Sequence, residues 1–338
     1  MAARRFSILF ITQSRIGDAV LSSGLVKALA EEVEDARFTI VASELTAPLF
    51  AEVPGLERII VMEKRPGGAH WFHLWRRARL RRWGLVVDLR GSPLASVLQP
   101  RRRAVHRRSD TPVHKVIEAA RLLKMEETPP SPYLFTSEAT EARADALTAG
   151  EGPILAVGPC ANWIGKTWPA ERFARLAHLL LDAGGPLAGG RLMVVGGPDD
   201  RRAAGAVLSA APRERVIDLV GREDLLTVYS ALKRVRLFIG CDSGLMHLAA
   251  AAGAPTLGLF GPSDERLYAP WGPHAKAVRG SRDFETFKRI DPRLDQEISH
   301  MMDLGIDTVA RAATELLAQT ADEPPIPSPT HADTDQDD

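Results

Sequence analysis

The sequence predicts an α/β protein built from two parallel sheets, each covered by helices. Short β-branched runs alternate with longer helical stretches along the chain, a pattern typical of parallel strands joined by crossover helices. The pattern occurs twice, on either side of a Pro-rich link at residues 128–132. At about 150 residues per domain, a chain of 338 residues has room for two such domains. We therefore expect each half to fold around its own sheet.

The predicted elements follow one another in a regular order. In the first half the candidate strands cover residues 6–12, 37–42, 57–62 and 84–89. In the second half they cover residues 154–158, 192–196, 216–219, 237–240 and 256–260. Helical spacing is clear for a segment whose buried face carries Leu21, Leu25, Ala28 and Leu29, and further helices are predicted over residues 138–147, 170–183 and 308–318. The Pro- and Gly-rich stretch 264–273 is predicted to be a loop.

The composition is that of an ordinary soluble protein. Hydrophobic residues make up 45% and charged residues 25% of the chain, which excludes collagen, coiled coil and wholesale disorder. The 43 basic and 43 acidic residues cancel, so no overall field attracts nucleic acid or membrane. Cys160 and Cys241 are far apart in sequence and outside any metal-binding pattern, which makes a disulfide framework or a zinc site improbable.

The elements divide the chain into domains at residues 1–150 and 151–320, followed by a tail at 321–338. The tail carries six carboxylates and no Lys or Arg, so we expect it to be disordered. The apolar run at the N-terminus is too short for a signal-peptide core or for a membrane span of roughly 20 residues. We expect a cytoplasmic protein.

Positive charge is concentrated in the first half. Residues 64–108 carry thirteen Lys or Arg against one acid, Asp88, and aromatic residues such as Trp71 and Trp75 alternate with arginines there. A basic stretch mixed with aromatics suits an anionic membrane surface. The alternative is a solvated helix whose tryptophans pack inward on the sheet. Both interpretations remain open from the sequence.

In an open parallel sheet, ligands bind at the loops that follow the strands, and two such sheets facing each other would make one cleft. The loop after the first strand runs QSRIGD, placing Arg15, Gly17 and Asp18 at that edge. Asp18 falls in the first helical turn, where a carboxylate can also simply stabilise the helix N-terminus. Gly17 indicates a close backbone approach or a turn with positive φ. The loop lacks the GxGxxG pattern of dinucleotide sites.

The loop after strand 154–158 contains Lys166 between Gly165 and Thr167, just before a predicted helix. A lysine there can neutralise a phosphate, although an isolated lysine is more often a solvent-facing charge. The Walker A spacing fails because Cys160 stands where its first glycine would be.

The segment LFIGCDSGLMHLAAAAG at 237–253 gives the strongest local signal. A strand ends, a small polar triplet turns the chain, and an Ala-rich helix begins with free N–H groups that suit an anion. Asp242 would repel phosphate, so it is expected to fix the loop or bind a sugar hydroxyl, leaving Ser243, Gly244 and Leu245 for the phosphates. A capped helix packed tightly on the sheet is the alternative. His247 is expected to be a satisfied histidine.

Two further strand ends lie at the same predicted edge. Asp200, in the GGPDD turn, can accept a hydrogen bond from a ribose hydroxyl, and a turn with a helix cap explains it as well. Ser263 follows the strand 256–260 and is another cleft candidate.

Together and in this order, the motifs resemble glycosyltransferase family 9, the lipopolysaccharide heptosyltransferase family. The resemblance covers residues 6–319 and rests on IGDAVLSSGLVKAL, GKTWPAERFARLA, VVGGPDD and LFIGCDSGLMHLAAAAGAPTLGLFGPSD. It implies a GT-B fold, two Rossmann-like domains around a central cleft, with the acceptor on the N-terminal domain. A nucleotide-sugar, usually ADP-heptose, would bind the C-terminal domain, and transfer would be inverting with no obligatory metal or other cofactor.

The resemblance also implies roles for single residues. Asp18 matches the general base and Lys166 the lysine that neutralises the departing diphosphate. Asp242, Ser243, Gly244 and His247 match the donor-binding turn, and Asp200 stands near the place of an acidic ribose ligand. An ionised carboxylate, a lysine and a helix N-terminus suffice physically for such a transfer. We expect an anionic, lipid-linked glycan as acceptor and a peripheral membrane contact through residues 71–108.

Two departures from the family pattern concern specificity. Asn162 and Trp163 add bulk to a donor loop that is usually small or polar, and the arginines of segment 76–108 are unusually dense. Three alternatives to a transferase that uses ADP-heptose stay open. They are a catalytically silent relative that binds a nucleotide or glycan, a transferase that uses another nucleoside diphosphate sugar, and a Rossmann oxidoreductase. Nucleic-acid binding is a fourth interpretation, but no recognition motif supports it.

Overall fold

A computed structural model of the chain describes residues 5–63, 66–107, 111–293 and 297–321. The predicted disordered tail therefore lies almost entirely outside the described residues. The described part contains two parallel sheets. The strands of the first sheet are β1 (Phe6–Ile11), β2 (Ala36–Ala42), β3 (Leu56–Val61), β4 (Leu85–Asp88) and β5 (Arg102–Val105). Those of the second sheet are β6 (Ile154–Gly158), β7 (Arg191–Val194), β8 (Val216–Asp218), β9 (Leu237–Cys241), β10 (Thr256–Phe260) and β11 (Ala275–Arg279).

Helices connect the strands and cover both sheets. In the N-terminal half they are α1 (Ile16–Leu21), α2 (Gly24–Glu32), α3 (Ala69–Ala78), α4 (Leu94–Val97), α5 (Lys115–Ala120) and α6 (Glu138–Thr148). In the C-terminal half they are α7 (Ala170–Leu181), α8 (Gly205–Leu208), α9 (Leu225–Leu232), α10 (Gly244–Ala251), α11 (Glu265–Tyr268), α12 (Phe284–Ile290) and α13 (Ile306–Gln319). Single 3₁₀ turns link several of them.

The strand orders are those of doubly wound sheets. The first sheet runs β3-β2-β1-β4-β5 and the second β11-β10-β9-β6-β7-β8, with every described pair parallel. In each sheet the order reverses beside a central strand, and the loops after β1 and β9 leave the sheets at those points. A crevice at such a reversal is where open α/β sheets bind ligands. The predicted fold class of two parallel α/β sheets is confirmed.

Two strands, β5 and β11, and several helices, among them α5, α9, α11 and α12, were not predicted. β5 and β11 are edge strands that carry exposed or half-exposed cations such as Arg102, Arg103 and Lys276. Charge on an edge strand prevents pairing with other chains, but it also removes the apolar alternation by which a strand is found. The stretch 264–273, predicted to be a loop, contains α11, which Asp264 caps by accepting from the Arg266 amide. The domain boundaries at 150 and 320 remain a prediction.

Apolar packing runs between the two halves. The largest cluster of buried residues includes Phe10 and Phe38 of the first sheet together with Phe238 of the second sheet and Met246 of α10. Burying side chains of this size contributes roughly 1.5–3 kcal/mol each. The two halves therefore share one continuous apolar core that fixes the position of one sheet relative to the other.

The basic segment of the N-terminal half divides between core and surface. Trp83 is buried, and Trp71 and Trp75 are half-buried against the sheet. Phe72 and Leu80, in contrast, keep 58% and 83% of their surface exposed. These positions agree with the interpretation that the tryptophans pack inward on the sheet. The exposed residues Phe72, Arg76, Arg77, Arg79, Leu80 and Arg82 form what we call the basic–apolar face.

Candidate active site

Asp18 lies where the first sheet opens toward the second. β1 ends at Ile11, and the next four residues are held in place because Gln13 Nε2 donates to the carbonyl of Leu89 (2.6 Å) and Ser43 Oγ donates to that of Ser14 (2.9 Å). Helix α1 then begins at Ile16, so Asp18 stands in its first turn, half-buried, as predicted. Arg15 precedes the helix and is exposed. The rigid loop leaves the Asp18 carboxyl group at the carboxyl edge of the sheet.

Lys166 is held by the anchoring of its loop. Two residues later, Trp168 is fully buried, with its indole N–H donating to the Leu304 carbonyl (2.9 Å) and its amide to Cys241 Sγ (3.3 Å). Trp163 lies over Gly165 in the same loop and contacts the ring of His300, with 5.6 Å between ring centroids. The loop is thus fixed on both sides of Lys166, which limits where its ammonium group can reach.

The turn after β9 pairs with this lysine. Lys166 Nζ donates to Asp242 Oδ2 (2.6 Å), and Asp242 is buried. Asp242 therefore fixes the loop, one of the two roles expected for it. Charge-assisted bonds of this kind are the strong ones in proteins. The ion pair joins the loop after β6 to the loop after β9.

Helix α10 begins directly behind that ion pair. Ser243 occupies the position before the helix, but its side chain does not cap the helix. Among the described residues, Ser243 Oγ and Ser263 Oγ are buried without a hydrogen-bond partner, and so is Nδ1 of His247. The expectation of a satisfied histidine is therefore wrong at Nδ1. Buried polar atoms are normally paired, so the two unpaired ones of Ser243 and His247 at the start of α10 fit a polar ligand.

His247 is neutral near pH 7. Burial lowers its pKa to about 4, although Asp242 Oδ1, 4.0 Å from Nε2, acts in the opposite direction. A neutral imidazole can donate or accept a hydrogen bond but adds no positive charge.

Helices α1 and α10 meet tip to tip where the two halves are in contact. A Cβ added to Gly17 would lie 2.9 Å from His247 Cδ2 and 3.6 Å from Gly244 Cα. A Cβ added to Gly244 would lie 2.7 Å from Ile16 Cγ2. The two glycines permit this contact, which confirms the predicted close backbone approach at Gly17. Asp18 and the turn at residues 242–247 therefore lie close together where the two halves meet.

The electrostatic surroundings of Asp18 come from both halves. Burial raises the pKa of its carboxyl group, and Asp242 raises it further. Arg15, Lys115 and Lys166 act against these effects and lower the pKa. A carboxyl group whose pKa lies above its ordinary value is a better proton acceptor at neutral pH than an exposed aspartate.

Three residues near Asp18 and His247 were not predicted: His114, Lys115 and Tyr268. Lys115 Nζ lies 5.8 Å from the centroid of the Tyr268 ring, and the His114 Nε2 lies 2.9 Å from the Ala269 carbonyl oxygen. Burial raises the pKa of Tyr268 to about 12, helped by the negative charges of Asp18 and Asp242. A helix start after Pro112 was the sequence signal for His114 and Lys115. The signal was overlooked because the preceding strand, β5, was not predicted.

The remaining candidates lie at the edge of the second sheet with less direct connection to Asp18. Asp200 Oδ2 accepts from the Gly197 amide (2.8 Å), which agrees with the helix-cap interpretation. Ser263 is buried after β10, its carbonyl accepting from Arg279 Nη2 (2.8 Å), and Leu245 is half-buried in α10. No described contact joins Asp200 to Asp18.

The cysteines are structural. Cys160 and Cys241 are both buried and free, and burial raises the pKa of each thiol to about 12. Within the described ranges, no group of three or more His, Cys, Asp or Glu side chains has the arrangement of a metal site. None of the described helices combines the length and apolar character that crossing a bilayer requires.

Comparison with known proteins identifies the family. The family model described as glycosyltransferase family 9 (heptosyltransferase) matches residues 74–294, about two thirds of the chain. The chain belongs to glycosyltransferase family 9. Lipooligosaccharide heptosyltransferase 2 of Haemophilus influenzae is 26% identical over 313 residues, covering 81% of this chain and 88% of that protein. Lipopolysaccharide heptosyltransferase 3 of Escherichia coli is 22% identical over 290 residues, covering 75% and 83%.

Solved structures of family 9 proteins share the fold. The E. coli ADP-heptose lps heptosyltransferase II has a TM-score of 0.72 at 22% identity, covering 94% of this chain and 100% of its own. A family 9 glycosyltransferase of Veillonella parvula has a TM-score of 0.76 at 19% identity, covering 94% and 99%. The predicted family and the GT-B arrangement of two Rossmann-like sheets are confirmed, and the protein is a glycosyltransferase.

Proposed function

We propose that this glycosyltransferase transfers heptose from ADP-heptose to a hydroxyl group of a lipopolysaccharide-core or related lipid-linked glycan, with inversion at the anomeric carbon. The observation that carries the proposal is the meeting of Asp18, from one half, with the Lys166–Asp242 pair and the start of α10, from the other. The relatives named heptosyltransferases and the E. coli structure named for ADP-heptose support the choice of donor.

In this proposal Asp18 is the general base. It accepts the proton of the acceptor hydroxyl as that oxygen forms a bond to the anomeric carbon, while the bond from the anomeric carbon to the diphosphate oxygen breaks. One displacement inverts the configuration. The half-buried position and raised pKa of the Asp18 carboxyl group support this role.

The negative charge of the departing ADP develops against the C-terminal half, which binds the donor. Lys166 and the backbone N–H groups of Gly244 and Leu245 stabilise the diphosphate, with hydrogen bonds from Ser243, Ser263 and His247. The unpaired buried atoms of the last three residues support these assignments. Asp242 holds Lys166 in place and can bind a sugar hydroxyl. Asp200 is assigned to the ribose of the donor. Arg15 and Gly17 are assigned to the side of the site that binds the acceptor.

Because Lys166 and the helix N-terminus already supply positive potential, we include independence from metal in the proposal. Chelation with EDTA is then expected to leave the initial rate unchanged, and a rate restored only by added Mg²⁺ or Mn²⁺ would contradict this part.

The acceptor is proposed to be anionic and presented at the cytoplasmic face of a membrane. The basic–apolar face supports this, because exposed Phe72 and Leu80 stand among exposed arginines. Each cation near an anionic surface contributes about 1 kcal/mol to binding.

A nucleotide screen tests the donor. Thermal stabilisation of the purified protein is measured with ADP, UDP, GDP and their sugars, since a ligand at 100 times its Kd adds about 2.7 kcal/mol of stability. We expect ADP and ADP-heptose to raise Tm most. Stabilisation by UDP or GDP compounds instead would point to another donor, and stabilisation without turnover of any donor would indicate a silent binding protein.

A further inference from the structure

A chain segment between α12 and α13 runs along the loop that carries Lys166. Ser299 Oγ donates to the Thr167 carbonyl (2.7 Å), and the His300 amide donates to the Gly165 carbonyl (3.2 Å). The two carbonyl groups belong to the residues directly before and after Lys166 in the chain. The segment therefore holds the backbone on either side of the lysine.

Trp163 packs the loop against this segment. Its ring lies so close over Gly165 that a Cβ would not fit there, and it contacts the His300 ring with 5.6 Å between centroids. His300 is buried and packs in turn on Phe287 of α12, with 5.7 Å between centroids. The bulk that Trp163 adds to the loop is thus used to bring loop and segment together.

The Ser299 hydroxyl group is used twice. While it donates to the loop, its oxygen also accepts from the Met301 amide (3.2 Å). Met301 is buried against the turn after β10, because a Cβ added to Gly261 would lie 2.7 Å from Met301 Cγ. Ser263 belongs to that same turn. The segment therefore contacts two of the loops assigned to the donor.

Further bonds hold the segment, residues 299–304, within the C-terminal half. Arg282 Nη2 donates to the His300 carbonyl (2.8 Å) and to Asp303 Oδ1 (2.9 Å). At the far end, the Leu304 carbonyl accepts from the indole N–H of Trp168 (2.9 Å). A segment fixed at several points can in turn fix the loop beside it.

The position of the Lys166 ammonium group depends on its backbone, because lysine carries its charge on a flexible four-carbon stem. In the structure Asp242 holds the tip of that stem at 2.6 Å. A diphosphate competes with Asp242 for the same ammonium group, whereas the backbone bonds to Ser299 and His300 stay in place. Supporting hydrogen bonds of this kind keep a functional group within about 0.5 Å of its working position.

We propose that Ser299 is a positioning residue that holds the Lys166 loop in place for the donor diphosphate. The inference rests on the proposed role of Lys166 in binding that diphosphate. Ser299 touches neither substrate; it acts through the Thr167 carbonyl, one residue from the lysine.

A double-mutant cycle tests the proposal, with ADP affinity measured by isothermal titration calorimetry. Ser299→Ala is expected to weaken ADP binding by about 3-fold to 10-fold, the range of one uncharged hydrogen bond. In a Lys166→Ala background the same substitution is expected to change the affinity by less than about 2-fold, since no ammonium group is left to position. Ser299→Thr keeps the hydroxyl group and is expected to retain the native affinity.

Ser209→Ala is the matched control. Ser209 Oγ also donates to a backbone carbonyl of the C-terminal half, that of Gly205 at 3.1 Å, but it does so at the end of α8. This substitution is expected to leave ADP affinity at the native value.

The outcomes separate this proposal from the proposed function. Native ADP affinity in Ser299→Ala overturns the positioning role and leaves Lys166 in the donor site. An equal loss with and without the Lys166 side chain also overturns it, because Ser299 would then support the fold alone. Native ADP affinity in Lys166→Ala overturns the proposed function of Lys166 itself, and the role of Ser299 falls with it.

Discussion

At the scale of single residues, the proposed donor binding depends on the ion pair between Lys166 and Asp242. The pair places the Lys166 ammonium group beside the start of α10, and the buried carboxylate of Asp242 restricts where that group can move. A hydrogen bond to a charged group contributes about 1.5–3 kcal/mol. The diphosphate of the donor would receive that contribution from Lys166.

Lys166→Ala is therefore expected to weaken ADP binding by about 10-fold to 150-fold, measured by isothermal titration calorimetry. Lys276→Ala is the control, because Lys276 also pairs with a carboxylate, Glu315 at 2.8 Å, but on the exposed surface of the C-terminal half. Equal ADP affinity in Lys166→Ala and the native protein would remove Lys166 from the donor site.

At the scale of elements, the tip-to-tip contact of α1 and α10 depends on two residues without side chains. An alanine at position 244 would place its Cβ 2.7 Å from Ile16 Cγ2, closer than carbon atoms approach, so one helix must move. Overpacking of this kind typically costs about 1–3 kcal/mol. A shift of α1 also moves Asp18, because Asp18 and Ile16 both belong to this short helix.

We expect Gly244→Ala to lower kcat/KM at least 10-fold and to lower Tm. Gly205 is the matched control: it is also the first residue of a helix, α8, but an added Cβ meets no atom within 4 Å. Gly205→Ala should be neutral or stabilising by up to about 1 kcal/mol. A kcat/KM of Gly244→Ala equal to that of Gly205→Ala would show that activity does not depend on the contact between α1 and α10.

The strand-end rule explains which site residues the sequence revealed. Asp18, Lys166 and Asp242 follow strands with strong apolar runs, so their common edge was predictable. Lys115 follows β5, whose exposed arginines hide its strand character. Tyr268 lies in a helix of four residues inside a Pro- and Gly-rich stretch. The unpaired atoms of Ser243 and His247 depend on three-dimensional packing, which no sequence pattern encodes.

At the scale of the whole molecule, the N-terminal half presents the basic–apolar face while its sheet edge carries Asp18. In the proposed function this face rests on the membrane that carries the lipid-linked glycan. Replacing Arg76, Arg77 and Arg82 with serine is expected to reduce cosedimentation with vesicles containing anionic phospholipid by at least 10-fold, since each cation contributes about 1 kcal/mol. The C-terminal arginines Arg175 and Arg202, also exposed, provide the control substitutions. Unchanged sedimentation of the N-terminal variant would exclude membrane contact through this face.

Transfer as proposed requires a base from one half to deprotonate the acceptor hydroxyl that attacks a donor held by the other half. The raised pKa of Asp18 means that its ionised form lowers folding stability at neutral pH, because a carboxyl group with a folded pKa above its unfolded value stabilises only while protonated. Asp18→Asn should therefore fold with a Tm no lower than that of the native protein. A loss of activity in this variant cannot then be attributed to unfolding.

The most direct measurement is the kcat of Asp18→Asn for sugar transfer from ADP-heptose, together with its affinity for ADP. We predict a fall in kcat of about 10²-fold to 10⁴-fold, the usual contribution of a general base, with ADP affinity close to native. A native kcat, or a loss of activity explained entirely by lost ADP binding, would contradict the account.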